Sequence, residues 1–149
     1  MISNKALRIE KIGIEKRKEA LDLVLDVFMQ YEAPDYTEEG VATFTSFICD
    51  ESKMNALEMY GAYDHGKIAG VVATRNNGNH IALFFVDGKL HGQGIGRKLF
   101  AEILRHSTAD VITVNSSPFA VEVYRKLGFT ATDREQLTDG IRYTPMAYT

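Results

Sequence analysis

The spacing of hydrophobic residues changes several times along the chain, and each change marks a predicted element. Leu7 and Ile9 alternate with charged residues, which indicates a strand with one exposed face. Apolar residues then recur at helical spacing, which predicts one helix that ends near Pro34 and a second, shorter helix after it. The apolar stripes of these two helices are Ala20, Leu21, Val24, Leu25, Phe28 and Tyr31, followed by Val41, Phe44, Phe47 and Ile48.

Three strands separated by short turns are predicted in the middle of the chain. Residues 57–63 and 68–74 are largely apolar, and an Asn-Gly pair lies in the turn that precedes residues 81–86. Such a pair favours the backbone twist of an antiparallel hairpin, so the three strands should form an antiparallel meander. Residues 81–86 are apolar at consecutive positions, which is typical of a strand buried on both faces. We therefore expect this strand at the centre of the sheet.

A glycine-rich turn, residues 90–96, follows the central strand and leads into an amphipathic helix. Its alternate glycines leave successive backbone N–H groups uncovered by any Cβ, and the first helical turn adds unpaired donors with a partial positive charge. Such a site attracts phosphate. Arg97 and Lys98 in the first helical turn fit a bound anion, and two solvated surface cations would explain them equally well. A tight turn would by itself also require small residues.

The last third of the chain continues the alternation of strand and helix. Residues 111–115 form another continuous apolar strand. Because strand, helix and strand in this order make a right-handed crossover, this strand should be the parallel neighbour of the central one. Ser117 before Pro118 indicates the start of a helix over residues 119–127, which Gly128 ends. The two remaining strands are predicted at residues 129–133 and 141–148.

Length and composition limit the function classes. The chain has 149 residues, which fits one domain over residues 1–149, and its net charge of −3 argues against a general nucleic-acid binder. Residues 1–5 lack a signal-peptide pattern and no apolar run is long enough to span a membrane, so we expect a cytoplasmic protein with no membrane partner. The single cysteine, Cys49, permits no internal disulfide and no cysteine-based metal site, and its helical context predicts a packed thiol.

The segment between the first two helices, residues 31–39, is both acidic and aromatic. One interpretation is a solvated connector whose last glutamates lie near the N-terminus of the next helix, where acids are favoured. The other is a pocket wall for a cationic substrate, formed by Glu32, Asp35 and Tyr36. The residue types leave both interpretations open.

Residues 91–99 and residues 114–129, in this order and separated by one helix and one strand, each contain a motif. Together these two motifs resemble those of the GNAT superfamily of acyl-CoA-dependent N-acetyltransferases. The first, residues 91–99, is similar to the Gln/Arg-x-x-Gly-x-Gly/Ala pyrophosphate signature, with His91 in place of the usual Gln or Arg. The second, residues 114–129, is similar to a family segment through Asn115, Ala120, Tyr124 and its final Gly-Phe pair. The similarity covers nearly the whole chain.

The resemblance implies an α/β (α+β) single-domain fold. Its mixed, twisted sheet would have about six or seven strands with about four helices, and the central parallel pair would splay apart around the cofactor. The resemblance also implies acetyl-CoA as the acyl donor, and no metal site is predicted. The pantetheine arm would bind along the central strand and the pyrophosphate at the glycine turn. The implied cofactor-binding residues are Phe85, Val86, His91, Gly92, Gln93, Gly94, Ile95, Gly96, Arg97, Lys98 and Asn115.

Acetyl transfer needs a neutral amine, donors for the developing oxyanion and a proton for the departing thiolate. The resemblance gives the acid role to Tyr124, for which a packing tyrosine is the alternative. The central strand contains no carboxylate, so no base is assigned. Glu32, Asp35, Asp87 and His80 are candidates that would act through water, although His80, which follows a turn, is predicted to be a surface residue.

The predicted function is direct transfer of an acetyl group from acetyl-CoA to a primary amine of a small molecule or peptide. The alternative is an acyl-CoA sensor or partner-binding module without turnover, which the missing strand carboxylate keeps open. A dinucleotide-binding oxidoreductase is disfavoured because the glycine spacing is not Gly-x-Gly-x-x-Gly. A nucleoside-triphosphate-binding loop is disfavoured because no Gly-Lys-Ser/Thr occurs. The acceptor could be a polyamine, an amino acid, an aminoglycoside or a protein terminus. Dimers are common among relatives, so a homodimer is consistent with the resemblance.

Overall fold

The computed structural model describes residues 7–149, so the expectation about residues 1–5 lies outside the described part. The strands are β1 (Leu7–Lys11), β2 (Glu58–Asp64), β3 (Lys67–Arg75), β4 (His80–Val86), β5 (Ile112–Ser116), β6 (Thr130–Ala131), β7 (Gln136–Thr138) and β8 (Ile141–Tyr148). The helices are α1 (Lys18–Val27), α2 (Glu38–Cys49), α3 (Glu51–Asn55), α4 (Ile95–His106) and α5 (Val121–Leu127). The short elements α3 and β7 were not predicted.

The strands form one mixed sheet in the order β1-β2-β3-β4-β5-β8-β6, and β7 pairs with β8. Strands β2, β3 and β4 are the predicted antiparallel meander, and β4 and β5 are the predicted parallel pair. The predicted mixed α/β fold is therefore confirmed, with slightly more strands and helices than expected.

The parallel pair separates soon after it begins. Strand β4 pairs with β5 only at His80 with Thr113 and at Ile81 with Val114, so residues 82–86 have no partner in β5. On its other edge, β4 contains an irregularity in its register with β3, because Ala82 lies between two paired residues and has no partner of its own. A bulge of this kind bends a strand and redirects its backbone groups. The result is a V-shaped opening beside β4.

Helices cover both faces of the sheet. Val24 of α1 and Leu83 of β4 are fully buried on one face, and Leu99 of α4 and Val72 of β3 are fully buried on the other. Burying such side chains contributes about 1.5–3 kcal/mol each. Burial along β4 alternates between full and partial, because Phe84 and the other even-numbered residues of the strand lie at the opening. The prediction of a strand buried throughout on both faces is wrong on this point.

Helix α1 continues past Val27 into a wide π-helical turn, Phe28–Glu32, and then a 3₁₀ turn, Ala33–Asp35. The backbone N–H of Ala33 donates to the carbonyl of Phe28, which closes the wide turn. Such turns occur often at functional sites because they rotate the following side chains relative to a regular helix. The hydrophobic stripe predicted the helix here but not its change of winding.

Helix α2 packs against both α1 and β8. Two close contacts to the turn before β8 hold its first half: a Cβ on Gly40 would lie 2.3 Å from the carbonyl oxygen of Gly140, and Thr43 Oγ1 donates to the carbonyl of Asp139 at 2.7 Å. The last residue of α2, Cys49, is exposed. The predicted packed thiol is therefore wrong, since the preceding residue, Ile48, takes the buried position. None of the helices within residues 7–149 is long and apolar enough to cross a membrane.

Candidate active site

Two cavities lie at the opening beside β4. The first, here called the glycine cleft, has a volume of about 200 Å³. It is lined by Val27, Glu32, Phe84, Phe85, Val86, Leu90, His91, Gly92, Gly94, Ile95, Gly96, Phe119, Ala120, Val123 and Tyr124.

The second, here called the aromatic cavity, has a volume of about 280 Å³. It is lined by Phe28, Glu32, Tyr36, Thr43, Phe44, Phe47, Arg75, His80, Ile81, Ala82, Phe84, Phe85, Val114, Asn115, Ser117, Ala120, Tyr124 and Ile141. The two cavities share the lining residues Glu32, Phe84, Phe85, Ala120 and Tyr124, so they meet at one junction.

Two different structural features explain why glycine occupies these positions in the turn before α4. Gly92 and Gly94 adopt φ angles of +80° and +84°, a left-handed conformation that other residues adopt only with strain. Gly94 is also the N-cap of α4. Gly96 has no such constraint, but a Cβ there would lie 3.5 Å from the ring of Phe84, at the wall of the cleft. The turn thus presents backbone rather than side chains to the cleft.

His91 ties this turn to the end of β4. Its Nε2–H donates to the carbonyl oxygen of Val86 at 2.7 Å. Its ring lies 5.0 Å from that of Tyr31 and 6.4 Å from that of Phe119, measured between centroids. The side chain at the position where the family signature usually has Gln or Arg therefore holds the strand end and the turn together.

The structure separates the predicted cofactor-binding residues into three groups. Those that line the glycine cleft are Phe85, Val86, His91, Gly92, Gly94, Ile95 and Gly96. Asn115 lines the aromatic cavity instead. Gln93, Arg97 and Lys98 are absent from the lining of both cavities, and Arg97 is exposed and donates to the carbonyl of Lys126 at 3.4 Å.

Tyr124 lies in the wall between the two cavities. It is buried, with only 6% of its surface exposed, and its ring makes edge contacts with Phe84 and Phe129 at centroid distances of 5.8 Å and 5.4 Å. Burial raises the pKa of its phenol, and the nearby carboxylate of Glu32 raises it further. Tyr124 therefore stays protonated at neutral pH and can act as a proton donor at the junction.

Glu32 faces Tyr124 from the end of the π-helical turn. Its side chain is half-buried and accepts a hydrogen bond from the hydroxyl of Ser117. Burial, together with the charge of Asp35, raises the pKa of this carboxyl to about 7, and the bond from Ser117 works in the opposite direction. A carboxyl with this pKa can exchange a proton near neutral pH.

Among the other predicted substrate-binding residues and base candidates, some line a cavity and others do not. Tyr36 lines the aromatic cavity, and its hydroxyl donates to the carbonyl of Arg142 at 3.3 Å. Asp35 is exposed and outside both cavities, and Asp87 accepts from the backbone N–H of Lys89 at 3.0 Å, also outside both.

His80 lines the aromatic cavity and is half-buried, so its predicted surface position is wrong. Its Nδ1 is 2.8 Å from the hydroxyl oxygen of Thr113 on the paired strand. Burial and then the charge of Arg75 lower the pKa of its imidazole to about 4. His80 is therefore neutral at physiological pH.

The aromatic walls of the second cavity were not found from the sequence as site residues. Phe28 and Phe44, whose rings stack at 3.9 Å, matched the spacing of core positions. Ser117 matched a helix start, and its Oγ does accept from the N–H of Ala120 at 3.3 Å. The available signal was Glu32, because it lies four residues after Phe28 and so places a charge on an apolar helix face. No group of three or more potential metal ligands comes together within the described part of the chain.

Comparisons with known proteins agree on one family. Residues 32–149 match the profile of an acetyltransferase (GNAT) domain. A GCN5-related N-acetyltransferase from Rhodopseudomonas palustris superposes with a TM-score of 0.83 at 21% identity, covering 100% of this chain and 98% of that chain. A PaiA N-acetyltransferase from Thermoplasma acidophilum, solved in complex with coenzyme A, superposes with a TM-score of 0.74 at 16% identity over 96% and 98% of the two chains.

The apo form of YjaB from Escherichia coli also superposes, with a TM-score of 0.74 at 21% identity, over 96% of this chain and 97% of that chain. A comparison with curated protein sequences gives no match. The family profile covers well over half of the sequence, and the splayed sheet with its glycine turn is present in the structure. The chain therefore belongs to the GNAT family of acetyltransferases.

Proposed function

We propose that this protein transfers an acetyl group from acetyl-CoA directly to a primary amine of a small molecule or peptide. The observation that carries this proposal is the junction at Tyr124 and Glu32, where a cleft suited to the donor meets a separate cavity suited to an acceptor. Direct transfer requires both reactants to be bound together within attack distance.

The glycine cleft is suited to the donor. The pyrophosphate would bind the backbone amides of the turn at Gly92–Gly96, at the N-terminus of α4, where the helix dipole favours negative charge. The pantetheine arm would run along residues 82–86, whose backbone groups have no partner in β5. The relative from Thermoplasma acidophilum was solved in complex with coenzyme A, which supports coenzyme A as the type of ligand.

The chemistry needs two further groups. As the amine attacks the thioester, negative charge develops on the carbonyl oxygen, and the bulged backbone at Ala82 is in a position to stabilise it because it has no ladder partner. The C–S bond then breaks, and the protonated phenol of Tyr124 gives its proton to the sulfur. Tyr124 recovers a proton from the nitrogen as the amide forms.

The alternative function is an acyl-CoA sensor that binds without turnover. It is favoured by the absence of a carboxylate from β4, where many relatives carry one. A carboxylate is nevertheless present at the junction, on a different element, in Glu32. We therefore favour the enzyme.

Thermal unfolding and thiol release together test the proposal. Because a ligand that binds the native state stabilises it, acetyl-CoA at about 100 times its Kd should raise Tm by about 5–10 °C. ATP, which lacks the pantetheine arm, is the control and should give a much smaller shift. Coenzyme A release upon addition of a panel of primary amines then distinguishes an enzyme from a sensor. No shift at saturating acetyl-CoA would refute the donor assignment.

A further inference from the structure

We propose that Glu32 binds the ammonium group of the acceptor and takes up its proton, and that the aromatic cavity selects a monoamine with a compact apolar body over a polyamine. This inference rests on the proposed acetyl transfer. It identifies the proton acceptor, which the sequence left unassigned, and the class of acceptor.

The position of Glu32 is the first reason. Within residues 7–149, it is the one acidic residue that lines either cavity, and it lines both. It lies at the junction with Tyr124, close enough for its charge to raise the pKa of that phenol. An amine that reaches a thioester beside Tyr124 must therefore lie near Glu32.

The carboxylate also interacts with a residue of the opposite wall. The hydroxyl of Ser117 donates to Glu32, and the same Ser117 oxygen accepts from the backbone N–H of Ala120. Ala120 lines both cavities, just before α5. Ser117 thus lies between Glu32 and the start of the helix that carries Tyr124.

The charges around the aromatic cavity favour a single ammonium group. Glu32 is the one anionic residue in its described lining, and Arg75 is the one cationic residue. The tyrosines Tyr36 and Tyr124 are uncharged because their pKa values are raised, and His80 is uncharged because its pKa is lowered. A second ammonium group would find no further carboxylate in this lining and would face the repulsion of Arg75.

This distribution changes the interpretation of the acidic segment, residues 31–39. Its other acids, Asp35, Glu38 and Glu39, are exposed and do not line the cavity. They therefore give no direct contact to a polycation inside it.

The walls supply the apolar part of the selection. The stacked rings of Phe28 and Phe44, together with Phe47 and Phe84, line this cavity of about 280 Å³. Aromatic walls bury apolar surface and attract a cation through their ring faces. A volume at the lower end of the range for ligand pockets fits a compact amine better than an aminoglycoside.

The proton balance of the reaction closes with these residues. The acceptor enters as R–NH₃⁺ and gives one proton to the Glu32 carboxylate, which frees the nitrogen lone pair for attack on the thioester carbon. The C–N bond forms, the C–S bond breaks, and the proton of Tyr124 goes to the sulfur. The second nitrogen proton restores Tyr124, and Glu32 releases its proton to solvent, so one proton is released per turnover.

The titration of Glu32 suits this role. Burial and Asp35 raise its pKa to about 7, and Ser117 opposes this. The other titratable or charged residues that line the two cavities are Tyr36 on the same segment, Tyr124, His91 on the glycine turn and, across the aromatic cavity, His80 and Arg75. Below this pKa the carboxyl is protonated and cannot accept a proton. The value of kcat/KM should therefore rise with pH through about 7.

The test uses Glu32→Gln, with Glu39→Gln as the matched control from the same segment. Glu32→Gln should lower kcat/KM for the amine roughly 100-fold or more, remove the rise near neutral pH and leave the Kd for acetyl-CoA within about two-fold. Glu32→Asp should keep the rise, because it retains a carboxylate. Glu39→Gln should match the wild type, since Glu39 is exposed and outside both cavities.

The acceptor class is tested on the wild-type protein, so this test does not depend on a variant that folds. Phenethylamine should give a kcat/KM at least about 10-fold above that of spermidine, because the second charge of spermidine is unfavourable in this cavity. A 10-fold ratio corresponds to about 1.4 kcal/mol. Preference for spermidine, or an unchanged pH profile in Glu32→Gln, would overturn this inference while leaving the acetyltransferase intact. Absence of thiol release with every amine, despite a Tm shift with acetyl-CoA, would overturn both this inference and the proposed acetyl transfer.

Discussion

The glycine cleft and the aromatic cavity lie on either side of one junction, yet they are built in different ways. Most residues that line the cleft come from one segment, residues 84–96, which joins the unpaired edge of β4 to the turn at Gly92–Gly96. The cavity is formed from side chains of separate segments, which range from Phe28 on the π-helical turn to Ile141 on β8. A site built from local backbone leaves a motif in the sequence, whereas a site assembled from distant side chains does not.

The difference also concerns what each side can recognise. Backbone amides bind a phosphate irrespective of neighbouring side chains, so the cleft can keep its role with His91 at the first signature position. Selection in the aromatic cavity depends instead on a single carboxylate, Glu32, and its aromatic walls. Substitutions should therefore affect donor binding on one side and acceptor use on the other, with the shared residues affecting turnover.

The largest effect is expected at the junction, for Tyr124→Phe. This change removes the proton donor but keeps the ring that packs on Phe84 and Phe129. Loss of a general acid lowers rates by about 10²–10⁴-fold, so kcat should fall by at least about 100-fold. The Kd for acetyl-CoA, measured by calorimetry, should change by less than about two-fold, because the phenol acts mainly in the transition state.

Equal kcat values for Tyr124→Phe and the wild type would remove Tyr124 as the acid. A parallel loss of acetyl-CoA affinity would instead indicate that the hydroxyl binds the donor. The thermal stability of the variant in the absence of ligand is the control for its fold.

A smaller effect that separates the two sides is expected for Gly96→Val. The added Cβ would meet the ring of Phe84 at an ordinary contact distance of 3.5 Å, so the fold should tolerate it. Its methyl groups would nevertheless crowd the cleft where the phosphate is proposed to bind. The Kd for acetyl-CoA should rise about 10-fold, equivalent to about 1.4 kcal/mol, while the KM for the amine stays nearly constant.

The matched variant on the other side is Phe44→Leu, since Phe44 lines the aromatic cavity and not the glycine cleft. It should raise the KM for the amine and leave the Kd for acetyl-CoA unchanged. If Gly96→Val folds and binds acetyl-CoA as tightly as the wild type, the turn does not hold the phosphate. If both variants alter both constants equally, the two sides are not separate sites.

The same contrast explains how much of the fold and of the site could be predicted from the sequence. The sequence predicted the meander, the parallel pair and the glycine turn because each follows from a local period or a short motif. It missed the π-helical turn, since a change of winding by one residue hardly alters an apolar stripe. It also misplaced His80, because the approach of α2 and β5 that half-buries this residue depends on long-range contacts.

Glu32 shows most clearly which site residues the sequence could not predict. From the sequence it was one of several acids in an acidic and aromatic segment, and its place four residues after Phe28 was too weak a signal to separate it from Asp35. The π-helical turn brings Glu32 to the junction, whereas Asp35, three residues later, is exposed. Which acid faces the site thus depends on tertiary packing, which the local pattern does not encode.

The smallest effect, and the finest test of a backbone-built cleft, is expected at His91. In His91→Ala the bond from Nε2 to the carbonyl of Val86 is lost, which should loosen the turn and weaken acetyl-CoA binding by roughly two- to five-fold, the equivalent of one ordinary hydrogen bond. In His91→Gln the side chain again carries an N–H donor, so most of the affinity should return. Calorimetry on both variants measures the difference. A loss far above ten-fold in His91→Ala that Gln does not restore would indicate that the imidazole contacts the donor itself, in which case side chains and not only backbone would build the cleft.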